Sequence, residues 1–223
     1  MGQSSVIFGA TGLVGKGLVY ELLENNNFNK VVVVTRRKLQ ISNNKLNQLI
    51  VNDFSMLEKI RTELLADTFF CCIGTTIGKA GSKEAFRKVD YDIPLTIAHL
   101  AESLQIPNLV IISSISANAG SGNFYLRIKG EMEQQVQMIY HGNLKIVRPS
   151  IILGHRDDFR PAEKTGQWII TILRVLFVGF LAKYKGIHYW EIARGMIRAV
   201  ELPRNVIFIE SNELHELAVK VVK

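Results

Sequence analysis

Cysteine is nearly missing from this chain: there are two in 223 residues, and those two, Cys71 and Cys72, are neighbours inside an apolar run. Adjacent cysteines suit neither ordinary disulfide geometry nor the spacing of zinc ligands. A stapled secreted scaffold is therefore not expected, and a reducing compartment is. The first residues pass from Met1 straight into a strand-like Ser5-Val6-Ile7-Phe8, without the charged and apolar regions of a secretory signal. A cytoplasmic location is the expectation. No apolar run reaches the roughly 20 residues that cross a bilayer, since the most apolar stretch, Trp168 to Ala182, is shorter and carries Arg174. It reads as a buried or surface-docked helix, with membrane-surface contact through it and the nearby Lys183 and Lys185 as a secondary reading.

Acidic residues are the minority charge: Lys plus Arg number 27 against 20 Asp plus Glu, a net +7. Yet no basic run exceeds Arg36-Arg37-Lys38, which is too little for a nucleic-acid footprint and enough for a phosphate-bearing ligand. The histidines (His99, His141, His155, His188 and His215) are scattered without ligand spacing, so no metal centre is expected. Internal repeats and low-complexity segments are lacking as well.

What is present is 48% hydrophobic and 21% charged residues, enough apolar surface for a single domain of 223 residues. Short β-rich runs alternate with helical patterns over the first two thirds, as in a parallel sheet with crossover helices. The strands are expected at Ser5–Phe8, Val31–Thr35, Gln48–Val51, Thr68–Ile73, Leu109–Ser113 and Lys145–Val147. Helices are expected at Gly12–Glu24, Ser55–Leu65, Lys83–Leu104 and Phe124–Tyr140. Pro94 predicts a break or a first-turn position within the third of these. Together they describe an α/β doubly wound sheet of the Rossmann type. After Pro149 come a polar loop at His155–Gly166, the apolar stretch, a helix at Ile187–Val200, a late strand at Val206–Glu210 and a closing helix at Asn212–Val219. This part, residues 150–223, is expected to form a small substrate-facing appendage of the one domain.

The first strand runs into Gly9-Ala10-Thr11-Gly12-Leu13-Val14-Gly15 and then into an amphipathic helix. Small residues at a strand-to-helix turn let backbone N–H groups approach a pyrophosphate, and the helix N-terminus favours the anion. Gly9, Thr11, Gly12, Leu13, Val14 and Gly15 are therefore candidate cofactor contacts, although the spacing is GxxGxxG, not the usual GxGxxG. The second strand ends in Thr35-Arg36-Arg37, where a carboxylate would otherwise meet a ribose 2′-hydroxyl. Two guanidinium groups suit a 2′-phosphate instead, so NADP(H) is favoured over NAD(H). At the end of the third strand Asp53 and Phe54 could meet the adenine, and Asp53 could equally cap the next helix. Ile73, Gly74 and Thr75 close the fourth strand, where glycine lets the backbone pass close to the cofactor ribose. The cysteines beside them read as strand packing in preference to thiol catalysis.

Tyr125 and Lys129 are four residues apart at a helix start, hence on one face. An ammonium beside a phenol favours its ionised form and makes it a usable acid or base. Ser113-Ser114 closes the fifth strand at the carboxyl edge, where ligands bind in such sheets. Ser114 is taken as the hydroxyl that bonds the substrate oxygen, with Ser113 among the cofactor contacts.

The glycine turn, Cys71-Cys72-Ile73-Gly74-Thr75-Thr76, Gly78-Lys79-Ala80-Gly81, Ser113-Ser114, Asn123-Phe124-Tyr125, Lys129-Gly130-Glu131 and Arg148-Pro149 carry a resemblance. They are similar to the atypical short-chain dehydrogenase/reductase group that includes the HIV Tat-interacting-protein oxidoreductases, within the NAD-dependent epimerase/dehydratase superfamily. The resemblance covers nearly the whole chain, and Cys71 to Gly81 is its specific part. It implies a Rossmann fold binding NADPH, with the adenosine phosphate at Arg36 and Arg37 and the nicotinamide near Tyr125 and Lys129. The backbone of Pro149, Ser150 and Ile151 would flank the nicotinamide end. Two departures bear on the substrate pocket: the Ser-to-Tyr interval is shorter than in many such reductases, and Asp90 stands where extended members often carry asparagine.

The expected activity is hydride transfer between NADP(H) and a small carbonyl or alcohol, with Tyr125 moving the proton, Ser114 holding the oxygen and Lys129 holding ribose hydroxyls. Two alternatives stand beside it: an NADPH-binding redox sensor that regulates a protein partner, and a nucleotide-sugar epimerase-like enzyme. Dehydration is disfavoured, because no Asp or Glu follows Ser113-Ser114-Ile115-Ser116 before Glu131. Substrate identity, the side chains among residues 150–190 that line the pocket (His155, Trp168, Tyr184, His188 and Tyr189 as candidates) and a monomeric or homodimeric state are left open.

Overall fold

The computed structural model describes residues 2–154 and 185–219. The expected polar loop and the apolar helix Trp168–Ala182, with His155, Trp168 and Tyr184, lie outside the described residues. Among those described, no helix is long and apolar enough to cross a membrane.

Seven strands form one parallel sheet: β1 (Gln3–Phe8), β2 (Phe28–Thr35), β3 (Leu46–Ile50), β4 (Thr68–Cys71), β5 (Asn108–Ile112), β6 (Asn143–Arg148) and, last in the chain, β9 (Phe208–Glu210). Their spatial order is β3-β2-β1-β4-β5-β6-β9, and every neighbouring pair is parallel. This is the doubly wound Rossmann sheet expected from the alternation of strands and helices. A separate two-stranded parallel pair joins β7 (Ile152–Leu153) to β8 (Ile187–His188).

The unbroken run Val31–Val34 explains why β2 is central. Alternate side chains point to opposite faces, so Val31 and Val33 enter one apolar core while Val32 and Val34 enter the other. The first core is closed by α1 (Leu13–Glu24), α6 (Tyr189–Ala199) and α7 (Ser211–Val219), through Leu18, Leu22, Ile192, Met196 and Leu214. The second is closed by α4 (Ile93–Ser103) and α5 (Phe124–Ile139), through Ile97, Ala101, Met132 and Val136. The late strand and the two last helices thus belong to the main sheet and its core. What had been expected as an appendage is in good part framework.

Two local details differ from the sequence pattern for physical reasons, and a third is the break expected at Pro94. β3 begins two residues earlier than expected, because the pairing of Val31 with Leu46 sets its register. The stretch after Asp53 is a 3-10 helix, Phe54–Leu64, broken at Ile60 (φ −113°, ψ 16°). After the short α2 (Ile77–Ala80), the long helical pattern around Pro94 divides into short α3 (Lys83–Arg87), a π turn (Lys88–Asp92) and α4, with Pro94 in the first turn of α4, where its missing N–H costs nothing.

Candidate active site

The carboxyl ends of β1, β4 and β5 open into one cleft of about 540 Å³. The glycine turn supplies one wall with Thr11, Gly12, Leu13 and Val14. The exit of β4 supplies Cys72, Gly74, Thr75 and Thr76, the end of β5 supplies Ile112 and Ser113, and α5 supplies Tyr125 and Lys129. Gly9 and Gly15 build the turn without lining the cleft. Gly9 has φ +88°, and a Cβ on Gly15 would stand 2.2 Å from the Gly9 carbonyl oxygen, so only glycine lets α1 start there. Gly12 N–H donates to that oxygen at 3.0 Å. The first turn of α1 has no side-chain cap and no acidic residue, which leaves its amide donors and positive end for an anion. The pyrophosphate of a dinucleotide fits this cradle.

On the opposite wall, Lys129 lies one turn beyond Tyr125 on α5, and the Tyr125 ring packs on Phe86 with centroids 5.5 Å apart. Lys129 Nζ meets Asp90 Oδ1 at 2.7 Å, with side chains 3% and 0% exposed. The second Asp90 oxygen accepts the Thr75 N–H at 2.8 Å. Burial alone would pull the lysine pKa down, but the carboxylate of Asp90, with smaller help from Tyr125 and Cys71, more than offsets this and holds it above its ordinary value.

The two serines part company. Ser113 lines the cleft, and its Oγ is buried with no hydrogen-bond partner, whereas Ser114 Oγ donates to the Ile115 carbonyl at 3.3 Å and does not line the cleft. Pleating sends adjacent residues to opposite sides, and the register of β5 with β6, ending in Ser113 N–H to Val147 O at 2.7 Å, decides which serine looks inward.

The remaining expected contacts lie outside this cleft. Arg36 and Arg37 are exposed at the end of β2, in a turn closed by Thr35, whose Oγ1 donates to the Arg37 carbonyl at 2.9 Å and accepts the Arg37 N–H at 3.3 Å. Asp53 caps the 3-10 helix by accepting the Ser55 N–H at 3.0 Å, and Phe54 packs against Phe8. Ile73 lies against Gly9, the Pro149 carbonyl accepts from Ile115 N–H, and Ile151 is exposed. Burial pushes the Cys71 thiol up to about 11 and that of Cys72 higher still, so neither is a thiolate at neutral pH, in line with a packing role. Among the described residues no cluster of metal-ligating side chains occurs.

The sequence pattern did not single out several residues that line the cleft, Lys16, Gly17, Tyr20, Ile112 and Ile152, and it named Thr76, Lys79 and Asp90 without assigning them a contact. Of the aromatic candidates for the pocket, Tyr189 lines it and His188 is exposed. The Tyr189 ring fills space that a Cβ on Gly17 (2.8 Å away) or on Gly154 (2.7 Å) would need. The extra glycine two residues after Gly15 was the available signal for that contact.

A parallel sheet with a phosphate-ready turn facing a tyrosine and a lysine defines the class. The family model described as "NAD dependent epimerase/dehydratase family" matches residues 5–206, and the chain belongs to that family. Among curated relatives, Protein HTATIP2 of Rattus norvegicus is 38% identical over 165 residues, covering 72% of this chain and 67% of that protein. The resemblance to the Tat-interacting-protein oxidoreductases is thereby borne out. Protein FMP52-1, mitochondrial, of Scheffersomyces stipitis is 34% identical, covering 70% of each chain. Among solved structures, the UDP-glucose 4-epimerase of Thermotoga maritima superposes with a TM-score of 0.71 at 16% identity, covering 96% of this chain and 81% of that one. A monomeric L-threonine 3-dehydrogenase from a metagenome gives a TM-score of 0.69 at 14% identity, covering 95% and 80%. These two likenesses establish the fold.

The expectation of a cytoplasmic location is corrected by the fungal relatives, which are named as mitochondrial proteins. The residues used for that expectation, two reduced cysteines and no secretory signal, do not separate one reducing compartment from another.

Proposed function

We propose that this protein is an NADP(H)-dependent oxidoreductase of the short-chain dehydrogenase/reductase type acting on a small carbonyl or alcohol. One observation carries the reading: Tyr125, Lys129 and the unpartnered Ser113 hydroxyl line the same cleft as the uncapped start of α1. A bound nicotinamide dinucleotide would supply or accept the hydride. The chain's own groups do the rest. The amides of Leu13 and Val14 at the uncapped start of α1 would hold the pyrophosphate. Lys129, whose one recorded acceptor among the described residues is Asp90, has hydrogens left for ribose hydroxyls.

Tyr125 then gives its phenolic proton to the developing alkoxide, and Ser113 Oγ holds that oxygen in place. The inward orientation of Ser113 makes it the better candidate for this task than Ser114, the residue favoured by the sequence. The Arg36–Arg37 turn, whose guanidinium groups have no partner among the described residues, supports the preference for a 2′-phosphate. Substituting Tyr125→Phe is expected to abolish NADPH oxidation across a carbonyl panel while calorimetric NADPH binding stays within about threefold. Unchanged turnover in that variant removes the mechanism.

A further inference from the structure

A lysine taken out of water is driven to give up its proton, and a neutral amine would neither favour a Tyr125 phenolate nor offer all its hydrogens to a ligand. Lys129 is such a lysine, with its side chain 3% exposed, and the carboxylate against it belongs to Asp90, itself 0% exposed. Three features of the chain hold Asp90 in place. It sits in the π turn Lys88–Asp92, where the wider turn takes a side chain out of the helical register of α3 and α4. Its second oxygen is fixed by the Thr75 N–H at the exit of β4. Gly74 leaves the room, since a Cβ there would stand 3.3 Å from Asp90 Oδ1 and 3.7 Å from Lys129 Nζ.

The groups that bear on the Lys129 charge come from three elements: Asp90 from the π turn, Tyr125 from its own helix and Cys71 from β4. Arg87, just before the π turn, is engaged elsewhere, with Glu131 at 2.7 Å. The Asp90 carboxylate is therefore the one permanent countercharge of Lys129 recorded among the described residues.

We propose that Asp90 is a positioning residue acting through Lys129: the clamp keeps the ammonium charged and fixed at the cleft wall, and so sets the alkaline limit of the range in which the Tyr125–Lys129 pair works. The inference rests on the reductase reading of the cleft, but a lysine kept charged by a buried carboxylate is measurable without turnover.

The test uses the full chain with isotope-labelled lysine and side-chain NMR, the Lys129 signal being identified by its loss in Lys129→Arg. In the wild type Lys129 is expected to keep its proton to higher pH than the surface lysines. Asp90→Asn retains an oxygen for the Thr75 amide but carries no charge, and there Lys129 should titrate at least about one unit lower, a tenfold change in proton affinity. In parallel, the alkaline limb of kcat/KM for NADPH-dependent reduction of 9,10-phenanthrenequinone should move down by a similar amount. A purely structural Asp90 would lower the melting temperature and move neither profile, which overturns the proposal. Should Asp90→Asn not fold, the wild-type titration decides alone, because a Lys129 that titrates with or below the surface lysines overturns it too. A shifted Lys129 titration without quinone reduction would uphold the clamp and count against the reductase reading.

Discussion

Arg148 holds Glu133 with two parallel hydrogen bonds, Nε to Oε1 at 3.0 Å and Nη2 to Oε2 at 2.5 Å. The fork ties α5, which carries Tyr125 and Lys129, to the end of β6. Arg148 also reaches Glu210 on β9 at 3.2 Å and lies over the Phe208 ring at 4.1 Å. Glu133 is 2% exposed, so its charge is tolerated only while this partner is present. Arg148→Met is expected to cost about 3–5 kcal/mol in urea unfolding. The double variant Arg148→Met/Glu133→Met should recover much of that loss, and a double variant as unstable as the single one would refute the pairing argument.

The serine pair gives a sharp comparison. Ser113→Ala should lower kcat by about 10²- to 10³-fold, as loss of a donor to a developing oxyanion does, while Ser114→Ala, whose hydroxyl is spent on a backbone carbonyl, should change it by less than about threefold. Steady-state kinetics of both variants decides which hydroxyl faces the reacting oxygen.

Cofactor choice is open to calorimetry. Replacing Arg36 and Arg37 by alanine removes charge-assisted bonds worth about 1.5–3 kcal/mol each, so the Kd for NADPH should rise at least about tenfold with that for NADH little changed. Equal losses for the two cofactors would assign the arginines a general electrostatic role.

The glycines of the site differ in what they tolerate. Gly15→Ala puts a methyl group 2.2 Å from the Gly9 oxygen, whereas a Cβ on Gly78 meets nothing within 4 Å. The first substitution should lower the melting temperature and abolish dinucleotide binding, and Gly78→Ala should leave both near wild type. Thermal unfolding with and without NADPH reads both effects.

Lys145 supplies a pH dependence with a defined sign. It is buried, its ammonium donates to the carbonyls of Pro203 and Val206 at 2.7 Å each, and burial lowers its pKa below 10.5. In the window between the lowered value and 10.5 the unfolded chain binds the extra proton, so stability from this residue rises with pH. The stability of the wild type relative to Lys145→Met should therefore increase as pH climbs through that window. A flat or falling difference in urea midpoints across it would contradict the assignment.

Much of the fold was legible in the residues because it rests on local rules. The four-valine run of β2, the glycine turn and the break at Pro94 each follow from sterics or alternation within a few positions. Tyr125 and Lys129 share a face for the same reason, one helical turn. Less legible were the edges of the sheet. β3 is only half buried, and β9 is three residues long, so neither carries a strong apolar signature.

By itself the sequence determined the class of fold, the phosphate-ready turn and the phenol-amine pair, all set by spacing along one chain segment. Tertiary structure alone decided that Ser113 and not Ser114 turns inward and that Asp90 is the partner of Lys129. Those outcomes depend on strand register and on helices that pack from distant parts of the chain. The energy that selects them comes from burial and charge pairing between segments, which no local pattern encodes.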